Sequence, residues 1–445
     1  MRLALAACLL CLCAGSAAAA APASETAADP EPLTLAQAHA LALRNHPEVA
    51  EADYQAQAQH ELYVQSRAGL LPQVNLYADA VHAGADDTRL LAGGINNPSV
   101  FSRTAVGVGA SQLITDFGHT SNLAASSRLQ AGAAQQAALT ARAQVLLAVD
   151  RDYFAVLQAE AVEAVARQTL ETRQLLLERV SILAQNKLKS NLDVSFAQVG
   201  TEDARLLVQR ARSDADSAQA TLAVALGYRE ARTFVLTEQS TDAAPADQPA
   251  AALVEQALHD RPELASLRNQ RDAAEKLALS LRDARLPTVS AVIDAGTAPT
   301  HDARLPDNYS AAGILVSVPL FAGGLYSARQ HEAELRARAA AEALRKVEDE
   351  VARDVRVAVL TLNNARERLR TSAQLNRYAI TAYELADARY RAGSSSIVEL
   401  SQAQLALTTA QLEETAARYE VLGRAAELAY QSGATADAAA LAPGG

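Results

Sequence analysis

The sequence predicts an α+β membrane protein: long coiled-coil helices joined to four β-strands per chain, strands that can close into a transmembrane barrel only together with other chains. Three observations carry that expectation. The chain is written twice. Four short stretches alternate apolar with polar or small residues, the period of a strand with one face in lipid. Two much longer stretches place apolar residues at steps of three and four, the period of a coiled-coil helix.

The first element is an export segment. Arg2 is followed by a short apolar run and then by SAAAAA, the order of a secretory signal peptide, so residues 1–21 are expected to be removed. The three cysteines are Cys8, Cys11 and Cys13, all inside that segment, so the mature chain has no disulfide framework. With 40 Lys+Arg against 51 Asp+Glu the formal net charge is −11, which argues against nucleic acid as a partner. Beyond residue 21 there is no uninterrupted apolar run long enough for a spanning helix. Any membrane crossing must therefore be made by strands.

The duplication shows in two offsets. Asn45-His46-Pro47-Glu48 recurs as Asp260-Arg261-Pro262-Glu263, and Leu71-Pro72 with Val74 recurs as Leu286-Pro287 with Val289, each 215 residues later. Ser111–Gly118 matches Ser317–Gly324 at an offset of 206, which also pairs Asp193 with Glu399 and Gly227 with Gly433. One length change in a loop explains the difference. The expected division is a first structural repeat over 33–237, a linker over 238–250, a second repeat over 251–433 and a tail over 434–445.

Each repeat reads helix, strand, loop, strand, long helix, turn, helix. In the first, residues 73–81 alternate Val74, Leu76, Ala78 and Ala80 against Gln73, Asn75, Tyr77 and Asp79, and residues 102–110 set Val106, Val108 and Ala110 against glycines. In the second, Val289, Ala291, Ile293 and Ala295 share one face, as do Ala312, Ile314, Val316 and Val318. Residues 83–99 and 298–307 read as loops. Long helices are expected over 118–186 and 324–391, roughly 100 Å at about 1.5 Å per residue. In the second, Leu344, Val347, Val351, Val355, Ala358, Leu362, Ala365 and Leu369 form the seam. Residues 35–67 with 191–226, and 251–282 with 396–432, are expected to stack end to end, each pair matching one long helix.

With these pieces in place the chain resembles the TolC family of outer-membrane efflux channels over residues 33 to 433. The resemblance rests on Asn45-His46-Pro47-Glu48, Leu71-Pro72, Asp116-Phe117-Gly118, Pro319-Leu320-Phe321 with Gly323-Gly324, and Tyr390-Arg391-Ala392-Gly393. It implies a homotrimer giving four strands per chain to a 12-stranded barrel in the outer-membrane lipid. It also implies a helical tunnel through the periplasm, joined to an inner-membrane pump through a periplasmic adaptor protein. The function this implies is the exit duct of a tripartite efflux system, passively conducting small molecules. A type I protein-secretion duct and a periplasmic helical adaptor are the alternatives. Adaptors share the long hairpins but not two repeated pairs of alternating strands.

The chain carries no sign of an enzyme: no Gly-rich phosphate loop, no nucleophile elbow, and eight histidines without ligand spacing, so neither a metal nor another cofactor is expected. The informative positions are the two helix-to-helix turns farthest from the strands. Lys187, Leu188 and Lys189 in one, and Arg391, Gly393 and Ser394 in the other, are the expected adaptor-contact tips. Asp193 and Glu399 fall in the first turn of the following helices, where a carboxylate complements the helix dipole. By resemblance Glu399 lines the periplasmic entrance and Tyr390 belongs to its closing network. Gln402 stands where the family often has a second acid, and Ser395 where its best-known pattern has a clamping arginine. A differently wired gate using Lys187, Lys189 or Arg391 is therefore expected.

Overall fold

The computed structural model describes residues 32–82, 88–89, 99–100, 103–230, 232–238, 248–300 and 306–435. The expected signal peptide, most of the 238–250 linker and most of the tail lie outside them. Helices α1 (Leu35–Asn45) and α2 (Pro47–Ala68) lead into β1 (Gln73–Val81). Two short strands follow, β2 (Thr88–Arg89) and β3 (Ser99–Val100), then β4 (Arg103–Thr115), the long α3 (His119–Gln185) and α4 (Asn191–Ala225). The second half repeats this with α5 (Ala250–Asp260), α6 (Pro262–Asp283), β5 (Thr288–Thr300), β6 (Asn308–Ser317), α7 (Leu325–Arg391) and α8 (Ile397–Gln431). Both long helices have 67 residues and both helices after the tips have 35.

Four strands form one antiparallel sheet in the order β1-β4-β5-β6. Val74, Leu76, Val106, Val108, Ile293, Ile314 and Val316 are all exposed in the single chain. The same outward set alternates with Tyr77, Gly107, Gly109, Asp294 and Gly296 on the other face. There the Tyr309 hydroxyl lies against the backbone of Gly107 and Gly296, and the Tyr77 ring against Gly109. A Cβ at Gly107 would come within 2.2 Å of that hydroxyl, so only glycine admits the ring.

Four boundaries differ from the sequence expectation. The 102–110 strand runs on to Thr115, past a register shift between Leu113 and Thr115; two adjacent apolar residues, Leu113 and Ile114, had broken the alternation at that bulge. Thr297–Thr300 continue β5 into the expected 298–307 loop. The expected 83–99 loop contains the short β2–β3 ladder. Finally, 35–67 and 251–282 are each two helices, not one. Pro47 and Pro262 have no N–H to continue the ladder, so each opens a new helix at its first position. The stacking partners are therefore the 35-residue α4 and α8 with the 22-residue α2 and α6. Gly227 and Gly433, at positive φ, sit at the joints against Asn45 and Asp260.

Packing follows the duplicated seam. One core joins α1 and α3 through Ala38, Ala42, Val145, Val149 and Tyr153, with Leu222 from α4. The other joins α5, α6 and α8 to α7 through its buried Leu344, Val351, Val355, Ala358, Leu362 and Ala365, with the half-buried Val347 and Leu369 packed against them, so all eight expected seam residues take part. Mid-length, a parallel bridge between Leu33 and Leu236 straps the outside of α3. The Tyr153 hydroxyl lies 2.9 Å from Leu33 O and 2.7 Å from Thr237 O, and accepts from Thr237 N–H at 3.1 Å. At the opposite end β4 turns into α3 through Phe117 and Gly118, both at positive φ. Asp116 accepts there from the N–H groups of Gly118 and Thr120 at 3.3 and 2.7 Å. Burial acts to raise its pKa, but the Thr120 hydroxyl, those two N–H groups and the nearby His119 together outweigh it, and the carboxyl lies below its ordinary value.

Candidate functional site

The two helical tips use one backbone solution. Lys187 N–H bonds Ala184 O at 2.9 Å and Leu188 N–H bonds Leu183 O at 2.9 Å. In the second tip Gly393 N–H bonds Tyr390 O at 3.1 Å and Ser394 N–H bonds Arg389 O at 2.9 Å. Both turns need a left-handed residue to end the helix. It is Gly393 at φ +74° in one and Lys187 at φ +57° in the other. Ser190 and Ser396 then start the next helices, their hydroxyls accepting from the N–H groups of Asp193 and Glu399.

The carboxylates diverge. Asp193 turns back on its own cap, accepting from the Ser190 N–H and hydroxyl, both at 3.0 Å, which completes a capping box. Glu399 instead reaches across its turn to Arg389, Oε1 to Nη1 2.7 Å. Arg391 pairs with Asp387 one helical turn back. Asp387 also accepts from Arg179 of α3 at 3.3 Å, so one carboxylate ties the two hairpins together.

Tyr390 lies at the centre, 2 % exposed, in a shared core with Leu176, Val180, Ala197, Ala386, Ile397 and Leu400. Lys189 from the first tip places its ammonium 4.2 Å from the Tyr390 ring centre, a cation–π contact. The phenol is pushed up by burial and by the nearby Asp193 charge, with Arg179 opposing. Its hydroxyl has no hydrogen-bond partner among the described residues. Gln402 is exposed one turn beyond the second tip. Lys187 and Leu188 project into solvent from the first tip, Leu188 at 69 % exposure, with Ile182, Leu192, Phe196 and Val199 also exposed nearby. Ser394 donates its hydroxyl to Arg389 O at 3.1 Å.

The structure thus gathers Tyr390, Lys189, Asp193, Glu399 and Arg391 at one end of the molecule and adds Arg389, Asp387 and Arg179. Arg389 and Arg391 are basic residues in the last turn of α7, a signal readable from sequence. The Arg179–Asp387 link joins residues 208 apart and leaves no local trace.

Two 67-residue helices with their return helices end in bare tips on one side and in four apolar-faced strands on the other. That is the build of an outer-membrane channel subunit. The chain belongs to the outer membrane efflux protein family, whose model matches residues 39–228 and 253–434. Outer membrane protein TolC of Escherichia coli (strain K12) is 24 % identical over 405 residues, covering 85 % of this chain and 78 % of the relative. A crystal structure of CusC superposes with a TM-score of 0.79 at 18 % identity, covering 90 % of this chain and 92 % of that one. The open state of the Neisseria gonorrhoeae MtrE outer membrane channel gives 0.77 at 20 % identity, covering 90 % and 88 %. The place of the protein is accordingly the outer membrane, with its helices extending into the periplasm. These relatives are channel proteins, not enzymes.

Proposed function

We propose that three copies of the chain form an exit duct that passively conducts small molecules from periplasm to exterior. The observation that carries this is the four-stranded sheet with β1 and β6 as open edges and an exposed apolar face. Lipid tolerates no open edge, and four strands cannot close a barrel. Three copies supply twelve. The duplicated repeats, 33–237 and 251–433, then line up as six similar hairpins around the axis, in a mature chain that has lost residues 1–21.

The tips form the periplasmic entrance. Lys187, Leu188, Lys189, Arg391, Gly393 and Ser394 meet a periplasmic adaptor, which joins the duct to an energised inner-membrane pump. The exposed apolar residues of the first tip support a protein contact there. Glu399 and Asp193 face the entrance, with Gln402 one turn on and Tyr390 in the packing beneath. In the resting state Arg389 holds Glu399 and Asp387 holds Arg391. Opening frees three Glu399 carboxylates, a ring that attracts cations. The test is a strain lacking this gene. It should accumulate a small cationic dye, and wild-type protein should restore dye export. Unchanged dye export with loss of a secreted polypeptide would replace this reading with the protein-secretion duct.

A further inference from the structure

The face of the sheet opposite the apolar one carries its glycines in a pattern. Tyr77 lies opposite Gly107, Gly107 opposite Gly296, and Gly296 opposite Tyr309. One cross-strand row therefore reads Tyr-Gly-Gly-Tyr, all on one side of the sheet. The next row toward the helices holds Asn75, Gly109 and Asp294. Tyr309 is the second residue of β6, so the aromatic row stands at the end of the strands away from the helices.

Glycine weakens a strand interior and marks a place where something approaches the backbone closely. Here a ring makes that approach. Tyr309 reaches from β6 across β5 to β4, with its hydroxyl over both central glycines. A Cβ on Gly296 would stand 2.5 Å from that hydroxyl and 2.6 Å from Cζ, and one on Gly109 would stand 2.8 Å from Tyr77 Cε2. The central strands thus take one ring from each edge strand and hold it down against backbone. Asp294 is drawn down in the same way, its Oδ1 2.5 Å from a Cβ on Gly109. The outer faces of the rings stay open, with Tyr309 42 % and Tyr77 57 % exposed. Glycine alone does not make a trough. On Gly313, which shares this face, a Cβ would meet nothing nearer than Val292 Cγ2 at 3.9 Å.

In the duct proposed above, on which this inference rests, the apolar face meets lipid and the opposite face lines the lumen. Three copies then set six tyrosines around one level of the lumen, near its outer mouth. A side chain standing on the wall would narrow that level, and a ring laid flat leaves it wide. We propose that the troughs at Gly107, Gly109 and Gly296 lay Tyr77 and Tyr309 flat on the lumen wall, making an aromatic girdle that sets the width of the exit and the size of the molecules the duct releases.

The chain has no cysteine beyond Cys13, so one introduced at Asn75, in the row just inside the girdle, reports what passes it. Intact cells carrying the full-length Asn75→Cys protein are treated from outside with maleimides on polyethylene glycol chains of graded mass, and the largest that reacts gives a cut-off. Native mass is measured in parallel. Added to this background, Gly107→Ala puts a methyl beneath the Tyr309 hydroxyl, lifts the ring and should lower the cut-off. Tyr309→Ala should raise it, with or without Gly107→Ala, and Gly313→Ala should leave it unchanged. If Gly107→Ala fails to fold, Tyr309→Ala, which only removes atoms, decides alone. A three-chain variant of either kind with an unchanged cut-off overturns the girdle and leaves the duct standing, the rings then serving the sheet alone. A one-chain mass, or Asn75→Cys that no maleimide reaches, overturns both.

Discussion

The first and second helical tips share their backbone and differ in almost everything attached to it. Residues 187 and 393, 190 and 396, 193 and 399 are equivalent through the duplication, and each pair holds the same backbone role. Yet the first tip caps itself with Ser190 and Asp193 and shows apolar residues to solvent. The second spends its acid, Glu399, on a neighbouring arginine and is surrounded by ion pairs. Helix length and turn geometry are set by backbone hydrogen bonds, which tolerate many side chains. The exposed positions around them are free to diverge. On the function proposed above, the first tip takes the protein contact and the second forms the charged constriction. The strand–helix junctions diverge too: after β4, His119 and Asn122 bond Ser280 and Asp283 of α6, whereas after β6 Leu320 and Phe321 stand exposed.

The largest expected effect probes what the tips share. Leu400 is 1 % exposed in the core beneath both, so Leu400→Ala should cost about 2–5 kcal/mol in local stability. Hydrogen exchange should rise around 183–192 and 389–398 alike. A rise confined to the second tip would break the picture of one common core. A smaller and sign-reversed pair of effects separates the tips. Gly393 has open space around it, so Gly393→Ala meets only the left-handed backbone penalty and should destabilise by about 1 kcal/mol. Lys187→Gly removes the same strain and should stabilise by a similar amount. Thermal melting of the two variants moving in the same direction would contradict the equivalence.

Smaller still is the effect at Tyr390. Its hydroxyl is buried without a partner among the described residues, so Tyr390→Phe removes an unpaired polar group; it should leave stability unchanged or raise it by up to about 1 kcal/mol and keep the Lys189 contact. It should also alter the alkaline response. The folded phenol is raised above its ordinary value of 10.0, so the unfolded chain loses its proton first. That contribution is present below the unfolded pKa and lost as pH rises through the folded one. The wild type should therefore lose more stability than the Phe variant in alkaline denaturant titrations. A large loss at neutral pH in Tyr390→Phe would mean that the hydroxyl does have a partner in the assembled protein.

Much of the fold was legible because it is periodic. The strand over 73–81 and the long helices emerged to within a residue, and the two offsets are the ones the strand registers obey. Legibility failed where periodicity did. The bulge at Leu113–Thr115 hid the end of β4, and Pro47 and Pro262 divide segments whose apolar spacing runs straight through them. At the tips, Glu399 and Asp193 could be placed from the turn chemistry, but their partners could not. Arg389 could have been found as a helix-end base facing an acid across a short turn. Arg179 and Asp387 meet only because two hairpins pack side by side.

The most direct test of the duct is single-channel recording of the purified protein in a planar bilayer, wild type beside Glu399→Gln and Arg389→Ala. The account predicts discrete, steady conductance steps with cation preference. That preference should weaken in Glu399→Gln, and conductance should increase when Arg389→Ala releases the carboxylate. Folded, membrane-inserted protein that shows no unitary steps in any of the three would contradict it.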